Sequence, residues 1–233
     1  MSTSGVCIVT GANKGIGLAV ARAMCSLSDN TTVYLTSRDK VRGEQAVQTL
    51  QKEGLQARYH QLDINDDKSV EALHDYLKNE HGGIDVLINN AGIAYKNDSE
   101  AAFAEQANVS VATNFGGTRR VCKKLFPLLK KGARVVNVSS NCGHLSKING
   151  DEPEAGVLRD KLSSKELTEE ELVKMMTKFV ELAAENKHVA QGWPNSAYKV
   201  SKVGVSALTI IQQRVMDHER PGEDVAINHA HPG

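Results

Sequence analysis

The sequence predicts an α/β fold built on a doubly wound parallel sheet. Two observations carry that expectation: short apolar strand-like runs alternate with amphipathic helical segments, and the first run leads straight into a glycine-rich turn. Residues 6–10 (VCIVT) are the first strand, and 16–27 follow with apolar residues at helical spacing. Residues 32–36 (TVYLT) give a second strand, and 43–53 an amphipathic helix stopped near Gly54. Residues 57–62 form a third strand, and 69–80 a helix stopped at Gly82 and Gly83. Residues 84–88 (IDVLI) are apolar apart from one Asp and read as a fourth strand. A long helix over 109–129, interrupted near Gly116 and Gly117, and a strand over 134–138 (RVVNV) continue the alternation. Such a fold binds ligands at the carboxyl ends of its strands.

Residues 141–195 break this rhythm. They hold acidic and polar clusters (DEPE, SSKELTEEE), with one clear helix in which Thr168 and Glu171 form a capping box ahead of Leu172, Met175, Met176, Phe179 and Val180. The segment reads as a surface insertion packing one apolar face on the main body, compatible with a shield over an active site. Gln191-Gly-Trp-Pro then leads into a last long helix, 196–218.

Bulk properties fit this reading and exclude others. A chain of 233 residues with 40% hydrophobic residues suits one α/β domain. Lys plus Arg equals Asp plus Glu at 28 each, so nucleic acid and anionic membranes are not expected partners. The four cysteines form no C-x-x-C pair, and no His/Cys spacing resembles a zinc site. His229 and His231, at i, i+2 near the end, have no acidic or cysteine partner beside them, and no metal is expected. The start lacks a secretory signal and no run of 18 apolar residues exists, so a cytoplasmic setting is expected.

Thr10-Gly-Ala-Asn-Lys-Gly-Ile-Gly17 lies between the first strand and first helix. Glycines there let a phosphate approach the backbone, and the helix start offers free N–H groups and a partial positive charge. Gly11, Asn13, Lys14, Gly15, Ile16 and Gly17 are therefore candidate cofactor contacts. The second strand ends Thr36-Ser37-Arg38, where an NAD site carries Asp or Glu to hold the ribose 2′-hydroxyl. Arg38, with Lys14, favours a 2′-phosphate instead, and so NADP(H) over NAD(H). Asp39 stands one place late for the ribose and is expected to pair with Arg38. The whole reads as a Rossmann-type dinucleotide fold.

The glycine spacing G-x-x-x-G-x-G, Asn89-Asn90-Ala91-Gly92 after the fourth strand, and Tyr198-Lys-Val-Ser-Lys202 together resemble the short-chain dehydrogenase/reductase family over the whole chain. Ser140 and Tyr198 stand 58 positions apart, farther than in classical members. That insertion, with the runs GANKGIGLAV, HQLDI, DVLINNAGIA, RVVNVSS and QGWPNSAY, resembles the monomeric NADPH-dependent carbonyl reductase branch. The resemblance implies a monomer, a small-molecule carbonyl substrate, and further elements after Pro232-Gly233 that a chain ending there lacks.

Tyr198 and Lys202, at i and i+4, share one helical face. An ammonium beside the phenol favours the phenolate, which makes the tyrosine a better proton donor near neutral pH. Tyr198 is then the general acid, and the resemblance implies that Lys202 also binds the nicotinamide ribose. Ser140, at the end of the RVVNV strand, matches the family's catalytic serine and would donate to the developing alkoxide; Ser139 is expected to be structural. Asn114 matches the fourth catalytic residue, whose implied role is to kink its helix and hold a water linked to the lysine. By resemblance Asp63 and Ile64 border the adenine, Asn90 lies along the cofactor, and Pro232 and Gly233 face the nicotinamide. Candidate substrate contacts are Ile93, Ala94, Tyr95, Lys96 and Trp193, the single tryptophan, which serves equally as packing for the insertion. Two alternatives to a broad carbonyl reductase stay open: a non-catalytic NADPH-binding sensor or interaction protein, and a narrow-substrate steroid, prostaglandin or pterin reductase.

Overall fold

The computed structural model describes residues 5–27, 30–96 and 98–232. Its strands are β1 (Gly5–Val9), β2 (Thr31–Ser37), β3 (Ala57–Gln61), β4 (Ile84–Asn89), β5 (Leu129–Val138) and β6 (Ala226–Ala230). They form one sheet in the order β3-β2-β1-β4-β5-β6. The pairs β1–β2, β1–β4 and β2–β3 are parallel, with Ile8 opposite Tyr34 and Leu87, and Tyr34 opposite Arg58. The order runs outward from β1 in both directions, the doubly wound pattern.

Compact packing divides the chain in two. The first unit takes in Met1–Ala91, Thr118–Val136 and Glu219–Ala226. It contains β1 to β4 and the helices α1 (Gly15–Leu27), α2 (Lys40–Lys52) and α3 (Asp67–His81). Its core is the apolar content of the strands, Val6 to Val9, Val33 to Leu35, Ile84 and Leu87, together with Leu50, Leu73 and Leu77 from the helices. Burying each such Leu or Ile contributes about 1.5–3 kcal/mol. Helix starts are set by aspartates: Asp39 accepts from Arg42 N in front of α2, and Asp66 from Lys68 N in front of α3. Gly82, with φ at +66°, ends α3. Asp39 is thus committed to its helix and also pairs with Arg42 at 3.3 Å. The expected Asp39–Arg38 pair does not form, because the cap points the carboxylate at the helix it starts.

The second unit takes in Gly92–Gly117, Asn137–His218 and Ile227–Gly233. It holds α4 (Phe103–Ser110), a π-helical segment Val111–Gly117, and the later helices α6 (Glu154–Ser163), α7 (Glu169–Ala184) and α8 (Ala197–Glu219); α5 (Thr118–Leu125) belongs to the first unit. Its core gathers Phe115, Ile148, Leu162, Leu172, Met176, Phe179, Trp193, Val200, Val203 and Leu208. The α7 capping box forms in both directions between Thr168 and Glu171.

Three elements differ from expectation. The helix expected over 109–129 is α4, the π segment and α5 in succession, followed by a short turn. β5 begins at Leu129, earlier than residue 134. The insertion holds two helices, since α6 buries only Ala155 and Leu162 and so has little apolar periodicity to read.

Candidate active site

In the first unit the turn after β1 is held from behind. Thr10 is buried, and its Oγ1 accepts from Asn90 N and Ala91 N, both at 3.0 Å. The Asn90 carboxamide donates to the carbonyls of Thr10 and Gly11 at 3.0 and 3.1 Å. A Cβ on Gly17 would stand 2.4 Å from Asn90 Nδ2 and 2.6 Å from the Gly11 carbonyl oxygen, so only glycine fits where α1 leaves the turn. On the other side a Cβ on Gly15 would meet nothing within 4 Å, which leaves open space over the backbone at the helix start. Asn13 is half-buried, and Lys14 and Ile16 are exposed beside it. Asn90 thus shapes the turn with its own side chain, and Thr10 is the partner that sequence reasoning missed.

Arg38 follows β2 and is exposed; its backbone carbonyl accepts from Gln61 Nε2 at 2.9 Å. Neither Arg38 nor Lys14 makes an ion pair among the described residues, so both guanidinium and ammonium are free for an anion. Asp63 is half-buried and turns its carboxylate to Asn65 N at 2.9 Å, while Ile64 is buried and its carbonyl accepts from Arg120 at 2.9 Å. A bare glycine turn at a helix start with two uncommitted cations nearby suits a dinucleotide carrying a 2′-phosphate.

In the second unit Tyr198 and Lys202 lie one turn apart on α8. Lys202 is 6% exposed. Its Nζ donates to the Val138 carbonyl at 2.8 Å and lies 5.7 Å from the centroid of the Tyr198 ring. Burial brings its pKa down to about 8. The Tyr198 side chain is half-buried. Ser201, between them, donates from Oγ to the Tyr198 carbonyl at 2.8 Å and accepts from Asn114 Nδ2 at 2.9 Å.

Asn114 sits in the π segment and is 1% exposed. Besides its bond to Ser201, its Nδ2 donates to the Ile93 carbonyl at 3.0 Å and its Oδ1 accepts from Ile93 N at 2.8 Å. The carboxamide therefore clamps the segment after β4 to α8. A Cβ on Gly92 would come 2.9 Å from Asn114 Oδ1 and 3.7 Å from Lys202 Nζ, so the backbone at Gly92 passes directly by both groups. Ser201, three residues after Tyr198, was not singled out in the sequence; its position on the Tyr198–Lys202 face was the available signal.

At the end of β5 the two serines behave differently. Ser139 is buried, with Oγ donating to the Lys202 carbonyl at 3.0 Å and 2.9 Å from Ser206 Oγ. Ser140 is half-buried, and its Oγ accepts from Cys142 N at 3.1 Å, which leaves its own hydroxyl proton to donate elsewhere. The Ser140 carbonyl accepts from Gly143 N at 2.7 Å and from His231 Nδ1. His231 in turn meets His229 at 2.6 Å and stacks on His144, so these imidazoles bond to each other and to backbone. Among the described residues no group of three His, Cys, Asp or Glu side chains could hold a metal ion.

The remaining candidates are scattered. Tyr95 is half-buried with its hydroxyl 3.4 Å from Glu105, and Lys96 is exposed. Trp193 is 2% exposed and packs its ring 5.4 Å from Phe179 in the core of the second unit. Pro232 is half-buried, and Gly233 lies outside the described residues.

A family profile described as short chain dehydrogenase matches residues 5–151. The chain is 49% identical over 228 residues to a Homo sapiens protein named carbonyl reductase (NADPH) 1, covering 98% of this chain and 80% of that one. Among solved structures it resembles menthone neomenthol reductase from Mentha piperita, with a TM-score of 0.83 at 31% identity over 99% of this chain and 90% of that one. It also resembles salutaridine reductase from Papaver somniferum, with a TM-score of 0.85 at 28% identity over 98% and 86% respectively. The glycine turn braced by Asn90 and the tyrosine–lysine pair of α8 stand on a chain that belongs to the short-chain dehydrogenase family.

Proposed function

We propose that this protein reduces aldehydes, ketones or quinones to alcohols with NADPH. The observation that carries the reading is the buried Lys202 ammonium beside the Tyr198 ring, in a chain nearly half identical to a protein named for NADPH-dependent carbonyl reduction. Residues Gly11 to Gly17 would hold the diphosphate, and Arg38 with Lys14 the 2′-phosphate. When bound, NADPH supplies the hydride. Tyr198 donates its hydroxyl proton to the carbonyl oxygen as that oxygen gains charge. Lys202, tethered to the Val138 carbonyl, places its ammonium beside the phenol, where the transfer leaves a negative charge. Ser140, whose Oγ already accepts from Cys142 N, would keep its proton and hydrogen-bond it to the same carbonyl oxygen as charge develops there. Asn114 and Ser201 fix the Tyr198 backbone and the chain at Ile93, and so hold the acid in place.

The family resemblance also supports a monomer acting in the cytoplasm; no helix among the described residues is long and apolar enough to cross a membrane. The test is NADPH consumption with an aromatic aldehyde, a quinone and an aliphatic ketone. Turnover of at least one, coupled one-to-one to alcohol, is expected. NADPH binding without turnover of any of them would overturn the broad carbonyl reductase in favour of a non-catalytic NADPH-binding protein or a narrow-substrate reductase.

A further inference from the structure

The insertion carries a cleft that the carbonyl chemistry does not use. It measures about 350 Å³ and opens between α6, α7 and the turn that precedes α8. That size falls at the small end of ordinary small-molecule sites. Its apolar wall is Leu158, Met175, Leu182 and the edge of Trp193. Its rim carries Lys161, Lys174 and Lys178 against a single carboxylate, Glu171.

That carboxylate is already committed. Glu171 Oε2 accepts from the backbone N and the Oγ1 of Thr168, both at 3.0 Å, and these bonds, helped by Lys161 and Lys174, hold it below the usual carboxylate range. Lys178 spends its charge weakly, on an exposed pair with Glu181 at 3.3 Å. Lys161 and Lys174 make no ion pair among the described residues, although both act on Glu171 and therefore face the same space. An apolar wall whose mouth carries three ammonium groups against one carboxylate is complementary to a short hydrocarbon body ending in one negative charge.

We infer that this cleft binds a medium-chain carboxylate, with the chain on Leu158, Met175, Leu182 and Trp193 and the head group between Lys161 and Lys174. Because the chain has one tryptophan, the site contains its own reporter. The experiment titrates the full chain with dodecanoate below its micelle concentration and follows Trp193 emission, with dodecanol as the uncharged control. Saturable quenching by a dodecanoate brominated on its chain, with dodecanol at least tenfold weaker, is expected. The double variant Lys161→Gln/Lys174→Gln should weaken dodecanoate about tenfold and leave dodecanol unchanged. Equal binding of acid and alcohol, an unchanged acid affinity in the double variant, absence of saturation, or displacement of dodecanoate by a carbonyl substrate would each overturn the assignment. None of these readouts depends on turnover, so the inference stands or falls apart from the reductase.

Discussion

The turn after β1 is bare backbone, whereas the turn after β5 is made of side chains. In the first, glycine at position 17 leaves no room for a Cβ, and the polar groups that shape the turn, Thr10 and Asn90, support it from behind. In the second, Val138, Ser139 and Ser140 each meet a different side chain or amide: Lys202, Ser206 and Cys142 N. The difference follows from the ligand chemistry each turn suits. A phosphate needs close approach and many N–H donors, which side chains obstruct. A carbonyl turning into an alkoxide needs one positioned proton donor and one hydroxyl, which side chains supply.

Four measurements break or sharpen this contrast. The largest effect belongs to the side-chain turn. Tyr198→Phe should lower kcat by about 10²–10⁴-fold and leave the Kd for NADPH within about twofold. Normal turnover would remove the tyrosine from the reaction. Next is the pH dependence of stability. Lys202 in the folded protein titrates at about 8, down from an ordinary 10.5. Below pH 8 both folded and unfolded chains carry the charge, and the folded state bears the full cost of burying it. Between pH 8 and 10.5 the unfolded chain binds more protons, so this cost disappears as pH rises, a gain on the order of 3 kcal/mol. Urea unfolding of Lys202→Met should lack that rise, and parallel curves for both proteins would contradict the buried charge.

The backbone turn predicts smaller effects. Gly17→Ala places a methyl against Asn90 and the Gly11 carbonyl, at a cost of about 1–3 kcal/mol. Both Tm and NADPH affinity should fall, and a variant with unchanged affinity would show that the turn does not touch the phosphate. Smallest is Arg38→Asp, which should raise the Kd for NADPH about tenfold while leaving NADH nearly unchanged. An equal loss for both cofactors would sink the 2′-phosphate role.

The same contrast explains what could be read from the sequence. The β1 turn is local, so Gly11, Gly15 and Gly17 announce it by spacing alone, and β1, β2 and β4 announce themselves as short apolar runs. The side-chain site is assembled from residues far apart in the chain. Tyr198 and Lys202 were legible as a helical pair, but the bonds from Asn114 to Ile93 and Ser201 join positions 21 and 87 apart. Spacing carries no trace of such pairs, and Asn114 came only through resemblance. Asp39 misled for the opposite reason: its local role as a helix cap outweighs the neighbour it follows in sequence. Trp193 pointed both to a pocket wall and to packing, and its ring lies against Phe179.

The π-helical stretch Val111–Gly117 has a consequence for chain length. A π turn holds one residue more than the α turn it replaces. Deleting a single residue there would let the stretch wind as ordinary α-helix while the helices on either side keep their direction, and the side chains inside the stretch would turn to new bearings. Asn114 could not then face both Ile93 and Ser201. At this place the number of residues, and not only their chemistry, sets where Asn114 points. The segment is a counter of residues as much as a holder of side chains.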